Sequence, residues 1–193
     1  VRENLAGDFN SGGGRGAGIY NNGFEGSASM TIVNSVVNDN RADRAGGGIY
    51  NDGNNGLVNV SIINSTVDHN AASFIGGVVG DGDGGGIYNG GQVNVMISSS
   101  SVSTNSSGAI GTVGVPGGSG GGIYGGTLTI SNSIINGNSA QYQSGGIHGA
   151  YVTITNSTVN NNQVRGFKGA AGPGGGMWIN GGTITNSVVS GNF

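Results

Sequence analysis

Residues 120–140 read GGGIYGGTLTISNSIINGNSA, and this stretch contains every element of the pattern that decides the fold. A glycine run leads into an apolar and an aromatic residue. An alternating polar and apolar segment follows, then a polar turn, a short apolar pair and a closing asparagine, Asn138. Alternation with a period of two is typical of β-strands. Asparagine and glycine are typical of turns because both tolerate left-handed backbone angles.

The same pattern occurs six times along the chain, and its residues align in columns. The aromatic column consists of Tyr20, Tyr50, Tyr88, Tyr124, His148 and Trp178. The isoleucine column of the alternating segment consists of Ile32, Ile62, Ile97, Ile130, Ile154 and Ile184. A serine column consists of Ser35, Ser65, Ser100, Ser133, Ser157 and Ser187. The closing asparagines are Asn40, Asn70, Asn105, Asn138, Asn162 and Asn192.

The spacing of these columns indicates the kind of repeat. The last 6 residues before each closing asparagine never change in length, the shortest full repeat has 24 residues, and longer repeats carry their extra residues at two fixed places. A constant core with insertions at fixed corners is typical of a solenoid. The sequence therefore predicts an all-β fold, a single right-handed parallel β-helix domain over residues 1–193. We expect six coils that close near the six asparagines.

Each coil is predicted to contain three short strands, at the GGGIY, LTISN and STVxxN segments. Equivalent residues of successive coils then stack about 4.8 Å apart as isoleucine, aromatic and asparagine ladders. The glycine runs are expected where two backbones approach too closely to admit a Cβ atom.

The combination of GGGIYN with LTISNSxIxxN resembles the repeats of bacterial surface β-helix proteins, as found in polymorphic outer-membrane proteins and autotransporter passengers. The resemblance covers nearly the whole chain. It implies a parallel β-helix and an extracellular or cell-surface location, and it implies a scaffold rather than a particular activity.

Composition excludes several other classes of protein. Glycine supplies 45 of 193 residues, cysteine is absent and charged residues make up only 8%. A helical protein, a disulfide scaffold and a cysteine-based zinc site are therefore excluded. The net charge of −3 argues against a nucleic-acid partner, and no apolar run is long enough to predict a membrane span. We expect no cofactor.

The end coils are the predicted functional surface. Uncapped end coils expose strand edges that invite pairing with another chain. All nine acidic residues lie within residues 1–83, whereas the rest of the chain carries only Arg165 and Lys168, so the two ends attract each other head to tail. We expect a non-enzymatic extracellular structural protein that polymerises into a surface filament. The predicted assembly interface consists of Val1, Arg2, Glu3 and Asn4 at one end and Trp178, Ile184, Val189, Asn192 and Phe193 at the other.

The alternative is a fragment of an adhesin or autotransporter passenger. Long insertions at residues 71–83, 106–119 and 163–173 leave from one corner of the repeat and are rich in apolar residues. Insertions on a single face are often the binding face, so this hypothesis assigns them contact with glycan or host surfaces. A threonine array at the later coils, which includes Thr129, Thr153 and Thr183, is a further hypothesis for ice or crystalline glycan.

Candidates for catalysis and metal binding are few. Asp39 and His69 occupy the same position in adjacent repeats, which favours an exposed surface pair over a catalytic dyad. Asp81 and Asp83 form a weak candidate for a Ca²⁺ site. Glycosylation sequons begin at Asn59, Asn64, Asn105 and Asn156, and the last three are expected to be inaccessible because they lie in ladder columns.

Overall fold

The computed structural model describes residues 1–7, 14–74, 82–109, 117–166 and 172–193. Within the described ranges the chain is all-β and contains no helix. In chain order the strands are β1 (Leu5–Ala6), β2 (Ile19–Asn22), β3 (Ser27–Val33), β4 (Val36–Asn38), β5 (Arg41–Ala42), β6 (Ile49–Ile63), β7 (Thr66–Asp68), β8 (Ala71–Phe74), β9 (Ile87–Ser98), β10 (Ser101–Ser103), β11 (Ser106–Ala109), β12 (Ile123–Tyr124), β13 (Thr127–Ser131), β14 (Ile134–Asn136), β15 (Ser139–Ala140), β16 (Ile147–Thr155), β17 (Thr158–Asn160), β18 (Gln163–Val164), β19 (Met177–Thr185) and β20 (Val188–Ser190).

These strands form three parallel sheets, and the chain visits the sheets in turn. Sheet 1 contains β2 and β3, then β6, β9, β12 and β13, β16 and β19. Sheet 2 is ordered β4, β7, β10, β14, β17, β20, and sheet 3 is ordered β1, β5, β8, β11, β15, β18. Each passage through the three sheets forms one level that stacks on the preceding level. The observed architecture is therefore an all-β, solenoid-like stack of parallel strands.

The register confirms that equivalent residues of successive repeats lie side by side. In sheet 1 the column Ile32, Ile62, Ile97, Ile130, Ile154, Ile184 is continuous across every level. The aromatic column is likewise continuous from Tyr20 to Trp178. In sheet 2 the inward column runs from Val37 to Val189.

The assignment of the three strands to sheets differs from the prediction. The GGGIY and LTISN segments are predicted to be separate strands, but they lie in the same sheet and are continuous in β6, β9, β16 and β19. The third sheet is instead made of residues that directly follow the closing asparagine. Several of its strands, such as Ser139–Ala140, have two residues and are too short to show a period.

The level of sheet 1 that contains β12 and β13 is interrupted between two paired neighbours, which produces an apparent closed ring of four strands. Both β12 and β13 pair with β9 on one side and with β16 on the other. Gly125 and Gly126 separate them and have φ values of +75° and +81°. The ring arises because β12 and β13 are two pieces of one level, separated by a glycine turn, that lie between the same two neighbouring strands. It is therefore not a barrel.

The core lies between the inward faces of the three sheets. Ile62, Val67 and Ala72, one from each sheet of a single level, are all 0% exposed. The inward residues of sheet 3 include Ala42, Ala72 and Ala140, which are 0% exposed and small enough for neighbouring backbone to approach closely. The glycine run serves the same purpose: a Cβ at Gly121 would lie 2.4 Å from the carbonyl oxygen of Ser139. This contact confirms the close backbone approach that the sequence predicts.

Substitutions at neighbouring positions of β9 test the inward and outward alternation. Ile97 is fully buried and Met96 is 41% exposed. We expect Ile97→Ala to lower the free energy of unfolding by about 2–5 kcal/mol, because it removes buried apolar contacts and leaves a cavity. Met96→Ala, the matched control, should lower it by less than about 1 kcal/mol. Denaturant titration followed by circular dichroism measures both, and equal losses would contradict the register.

Candidate functional site

The closing asparagines form a buried hydrogen-bonded ladder, and Asn105 shows its geometry. The backbone N–H and the side-chain Nδ2 of Asn105 both donate to Oδ1 of Asn138, each at 3.0 Å. Nδ2 also donates to the carbonyl oxygen of Val67 at 2.9 Å. Oδ1 of Asn105 accepts from the backbone N–H and Nδ2 of Asn70, at 2.9 and 3.0 Å. Every polar atom of this fully buried amide is thereby satisfied.

The ladder runs in one direction along the whole stack. Side-chain Nδ2→Oδ1 bonds of 2.8–3.0 Å connect Asn4, Asn40, Asn70, Asn105, Asn138, Asn162 and Asn192 in that order. Among the described residues, no group donates to Oδ1 of Asn4, and no group accepts from the backbone N–H of Asn192. The ladder therefore presents an acceptor at its N-terminal end and a donor at its C-terminal end.

The serine column repeats this polarity at another corner. Each backbone N–H donates to the Oγ of the serine one level higher, from Ser35 to Ser65 and onward to Ser187, at 3.0–3.1 Å. Within the described ranges, the Oγ of Ser35 and the backbone N–H of Ser187 are the groups without such a neighbour. The predicted interface does not include this column. The presence of serine at this position in all six repeats is the feature of the sequence that could have indicated its role.

Core residues become exposed at the C-terminal end of the stack. Ile184 and Val189 are each 45% exposed, whereas Ile154 and Val159, one level below, are 0% exposed. Phe193 is 68% exposed beside them. Ile184 and Val189 of the predicted C-terminal interface therefore end two inward columns that are open at this end, while Trp178 ends the aromatic column and Asn192 the asparagine ladder.

The N-terminal end has a hollow of about 470 Å³, lined in part by Val1, Ile32 and Val37. Arg2 pairs with Asn38 of β4, and its guanidinium lies 3.8 Å from the carboxylate of Glu3 in an exposed ion pair. Residues 1–4, the predicted N-terminal interface, therefore lie along one strand edge at this end.

The aromatic column is a continuous stack of rings. Successive ring centroids from Tyr20 to Trp178 lie 4.6–5.2 Å apart, with interplanar angles of 5–26°. Burial and a hydrogen bond to Asp52 raise the pKa of Tyr20 to about 12. Burial lowers the pKa of His148, whose Nδ1 has no hydrogen-bond partner within the described residues.

The candidate catalytic and metal residues do not come together. His69 Nδ1 lies 3.1 Å from Oδ2 of Asp68 and 3.3 Å from Oγ1 of Thr104, while Asp39 accepts from its neighbour Asn38. Asp83 is buried, and its carboxylate accepts from the backbone N–H of Ser119 at 2.6 Å. Asp81 lies outside the described residues. The part of the chain that the structure describes contains no group of three or more potential metal ligands.

The expected accessibility of the sequons is partly wrong. Asn105 is 1% exposed, as predicted, but Asn64 and Asn156 are exposed. Both lie at turns with positive φ, 47° and 49°, in which the side chain points away from the core. The threonine array is aligned as expected, because Thr129, Thr153 and Thr183 are neighbours across strands.

The three insertions begin in sheet 3, as strands β8, β11 and β18. Their central apolar residues, Ile75, Val78, Val79, Ile110, Val113, Val115 and Phe167, lie outside the described residues. A hollow of about 330 Å³ lies next to the first residues of these insertions and is lined by Ser106, Gln141 and Arg165, among others.

No protein-family model, curated protein or solved structure matches this chain. The resemblance to bacterial surface repeats therefore stays a prediction. In the described ranges no helix is long and apolar enough to cross a membrane.

The asparagine ladder is tested by replacing one buried member. Asn105→Leu leaves two donors of Asn70 and the carbonyl of Val67 without their bonds, so we expect the free energy of unfolding to fall by about 3–5 kcal/mol. Asn94→Ala is the control: Asn94 is exposed and makes one side-chain bond, to Asn59 at 3.1 Å. Thermal and denaturant unfolding should show a change below about 1 kcal/mol for this control. A comparable loss for both variants would contradict the ladder's role.

The lowered pKa of His148 predicts a pH dependence of stability. The unfolded chain binds a proton at the ordinary histidine pKa of 6.5, while the folded chain binds it only at lower pH. The contribution of neutral His148 to the free energy of unfolding is therefore fully present above pH 6.5, and it is lost as the pH falls below 6.5 toward the lowered pKa of the folded chain. His148→Tyr, which restores the common ladder residue, should reduce this loss, and His69→Asn should retain it. Denaturation at a series of pH values checks both, and an unchanged profile for His148→Tyr would refute the assignment.

Proposed function

We propose that this protein is a non-enzymatic, extracellular structural protein that assembles head to tail into a surface filament. Its fold in this proposal is a single right-handed parallel β-helix, the handedness that connections between parallel strands almost always take. The observation that carries the proposal is the one-way asparagine ladder. A second copy of this chain is the partner, and the contact is edge-to-edge pairing of end coils.

Hydrogen bonding supports a head-to-tail contact rather than a head-to-head one. The C-terminal end offers backbone N–H donors at Asn192 and Ser187, and the N-terminal end offers oxygen acceptors in the same two columns. Two identical ends would bring donors against donors or acceptors against acceptors. A contact between unlike ends does not close on itself, so it generates an open filament.

Apolar contact supports the same pairing. Ile184 and Val189 lie in the columns of Ile32 and Val37, so stacking the two ends extends the core of one copy into the hollow of the next. Trp178 and Tyr20, 39% and 46% exposed, are the two ends of the aromatic stack and would continue it across the junction. Burial of aliphatic side chains stabilises by about 1.5–3 kcal/mol each.

Charge supports the orientation over a longer range. The acidic residues belong to the first half of the chain, and Arg165 is an exposed cation near the other end. The absence of any acidic residue after Asp83 in the sequence supports a non-enzymatic role, because glycan-cleaving sites use paired carboxylates.

Substitutions on β20 test the proposal. Val189 faces the core column, while its neighbour Val188, 54% exposed, lies in the outward column. We expect Val189→Lys to abolish filament formation, because it places a charge in the apolar junction. Val188→Lys is the matched control and should assemble like the unmodified chain. Negative-stain electron microscopy and sedimentation at equal protein concentration measure the outcome.

Ordered fibres with a repeat of about 4.8 Å along the axis are expected from the unmodified chain. Dispersed short rods at all concentrations would overturn the proposal. The alternative function, glycan or host-surface binding, would then be favoured, with the hollow that Arg165 lines as its candidate site.

A further inference from the structure

The strand edge that a second copy needs at the N-terminal end is already occupied. Residues 1–3 lie along the free edge of β4, where Val1 N donates to the carbonyl of Val36, Asn38 N–H donates to the carbonyl of Val1, and Arg2 pairs with Asn38. Residues 1–3 lie in the same repeat column as β20, but on the N-terminal side of sheet 2, whereas β20 lies on its C-terminal side. Residues 1–5 and residues 189–193 therefore occupy equivalent positions at the two ends of the stack.

We propose that assembly proceeds by strand displacement: residues 189–193 of one copy replace residues 1–5 of the next copy at the edges of β4 and β5. This inference rests on the proposed head-to-tail assembly and specifies how the junction forms. In the assembled state β20 pairs with β4 of the next copy, and β19 pairs with β2 and β3. The released segment of residues 1–5 leaves the stack.

The asparagine ladder favours the exchange. Asn4 donates its backbone N–H and Nδ2 to Oδ1 of Asn40, at 3.2 and 2.8 Å, but its own Oδ1 accepts nothing within the described residues. Asn192 has the same two donors, and its Oδ1 already accepts from Asn162 at 2.9 and 3.0 Å. Replacing Asn4 by Asn192 of the neighbouring copy therefore retains the bonds to Asn40 and joins two ladders into one.

Two of the hydrogen bonds that hold the displaced segment are longer than their interior counterparts or than an ordinary N–H···O bond, although others, such as Asn38 N–H to the carbonyl of Val1 at 3.0 Å, are of ordinary length. Nδ2 of Asn40 reaches the carbonyl of Val1 at 3.3 Å, whereas the equivalent bond from Asn70 to Val37 is 2.9 Å. Glu3 N–H donates to the carbonyl of Asn38 at 3.4 Å. Val1 itself is 56% exposed, and the residue that replaces it in the inward column, Val189, is also a valine.

Sheet geometry separates displacement from simple stacking. Residues 1–3 add a level below β4 in sheet 2, but β2 and β3 in sheet 1 have no described strand below them. If β20 stacked under residues 1–3, β19 would lie two levels below β3, about 9.6 Å away instead of about 4.8 Å. That arrangement leaves sheet 1 unpaired across the junction. Displacement pairs β19 with β3 and β20 with β4 at the ordinary spacing.

The axial repeat of the filament measures the difference. Displacement advances each copy by six levels, about 29 Å, and simple stacking advances it by seven levels, about 34 Å. Layer lines in electron micrographs of the unmodified chain distinguish these values. A repeat of seven levels would overturn strand displacement and leave the filament proposal intact, whereas the absence of fibres would overturn the filament proposal itself.

Engineered disulfides give a second, independent test, because the chain has no cysteine. Arg2→Cys with Asn38→Cys joins paired residues within one copy and fastens the N-terminal segment to β4. We expect the oxidised variant to lose filament formation and to regain it on reduction. Filaments from the oxidised variant at the same rate as from the unmodified chain would overturn the proposal. Circular dichroism confirms that the variant folds.

Ser190→Cys with Asn38→Cys tests the new contact directly. In the displaced junction these positions are adjacent across copies, within the Cα separation of about 4.4–6.8 Å that a disulfide needs. Oxidised filaments should then give a ladder of covalent oligomers on a denaturing gel. Ser190→Cys with Asp68→Cys, one level further away, is the control and should give none. Assembled filaments without a ladder from the first pair would overturn strand displacement.

Discussion

A buried primary amide is costly unless all its hydrogen bonds are made, and this constraint organises the whole stack. Asn105 satisfies its amide only with an asparagine above, an asparagine below and a backbone carbonyl one level away. The requirement fixes the register of adjacent levels, because a slip of one residue would leave several buried polar atoms without partners. It also means that the end of the stack cannot satisfy itself. The same interaction that stabilises the interior therefore creates directional, complementary groups at the two ends.

Much of this arrangement could be predicted from the sequence, since a stack of identical levels places equivalent residues side by side. The aromatic, isoleucine and asparagine columns were all found in the expected neighbours. The division into sheets could not be predicted, because the asparagines and glycines between Tyr50 and Ile62 are typical of a turn, whereas in the structure β6 runs through them with a register irregularity between Gly53 and Leu57. Sheet 3 was missed because strands as short as Ser139–Ala140 carry no periodic signal. The exposure of Asn64 was missed because a column continues equally well on the inside and the outside of a turn.

The direction of the ladder is the feature of the candidate site that sequence alone could not supply. An asparagine column predicts hydrogen bonds along the stack, but it does not say which neighbour receives the amide protons. The structure assigns Nδ2 of each level to Oδ1 of the next level toward the C-terminus, and the serine backbone bonds follow the same direction. Directionality turns two similar ends into unlike ones, so a symmetric dimer would leave both ladders incomplete.

If the chain assembles as proposed, the position of residues 1–3 on β4 also protects the strand edge before assembly. An exposed parallel edge is a template for uncontrolled pairing, and natural sheets cover or interrupt such edges. Here the cover has the same column pattern as the strand that would replace it, with valine in the inward position and asparagine at the turn in both cases. Such a segment protects the edge against unrelated strands that lack this pattern. In the proposed exchange it is displaced by residues 189–193, which form the same hydrogen bonds to β4 and β5 and are themselves hydrogen-bonded to a complete level below them. In the proposed exchange, selectivity comes from the stack behind the incoming strand, because residues 189–193 bring β19, the open core and the aromatic stack with them.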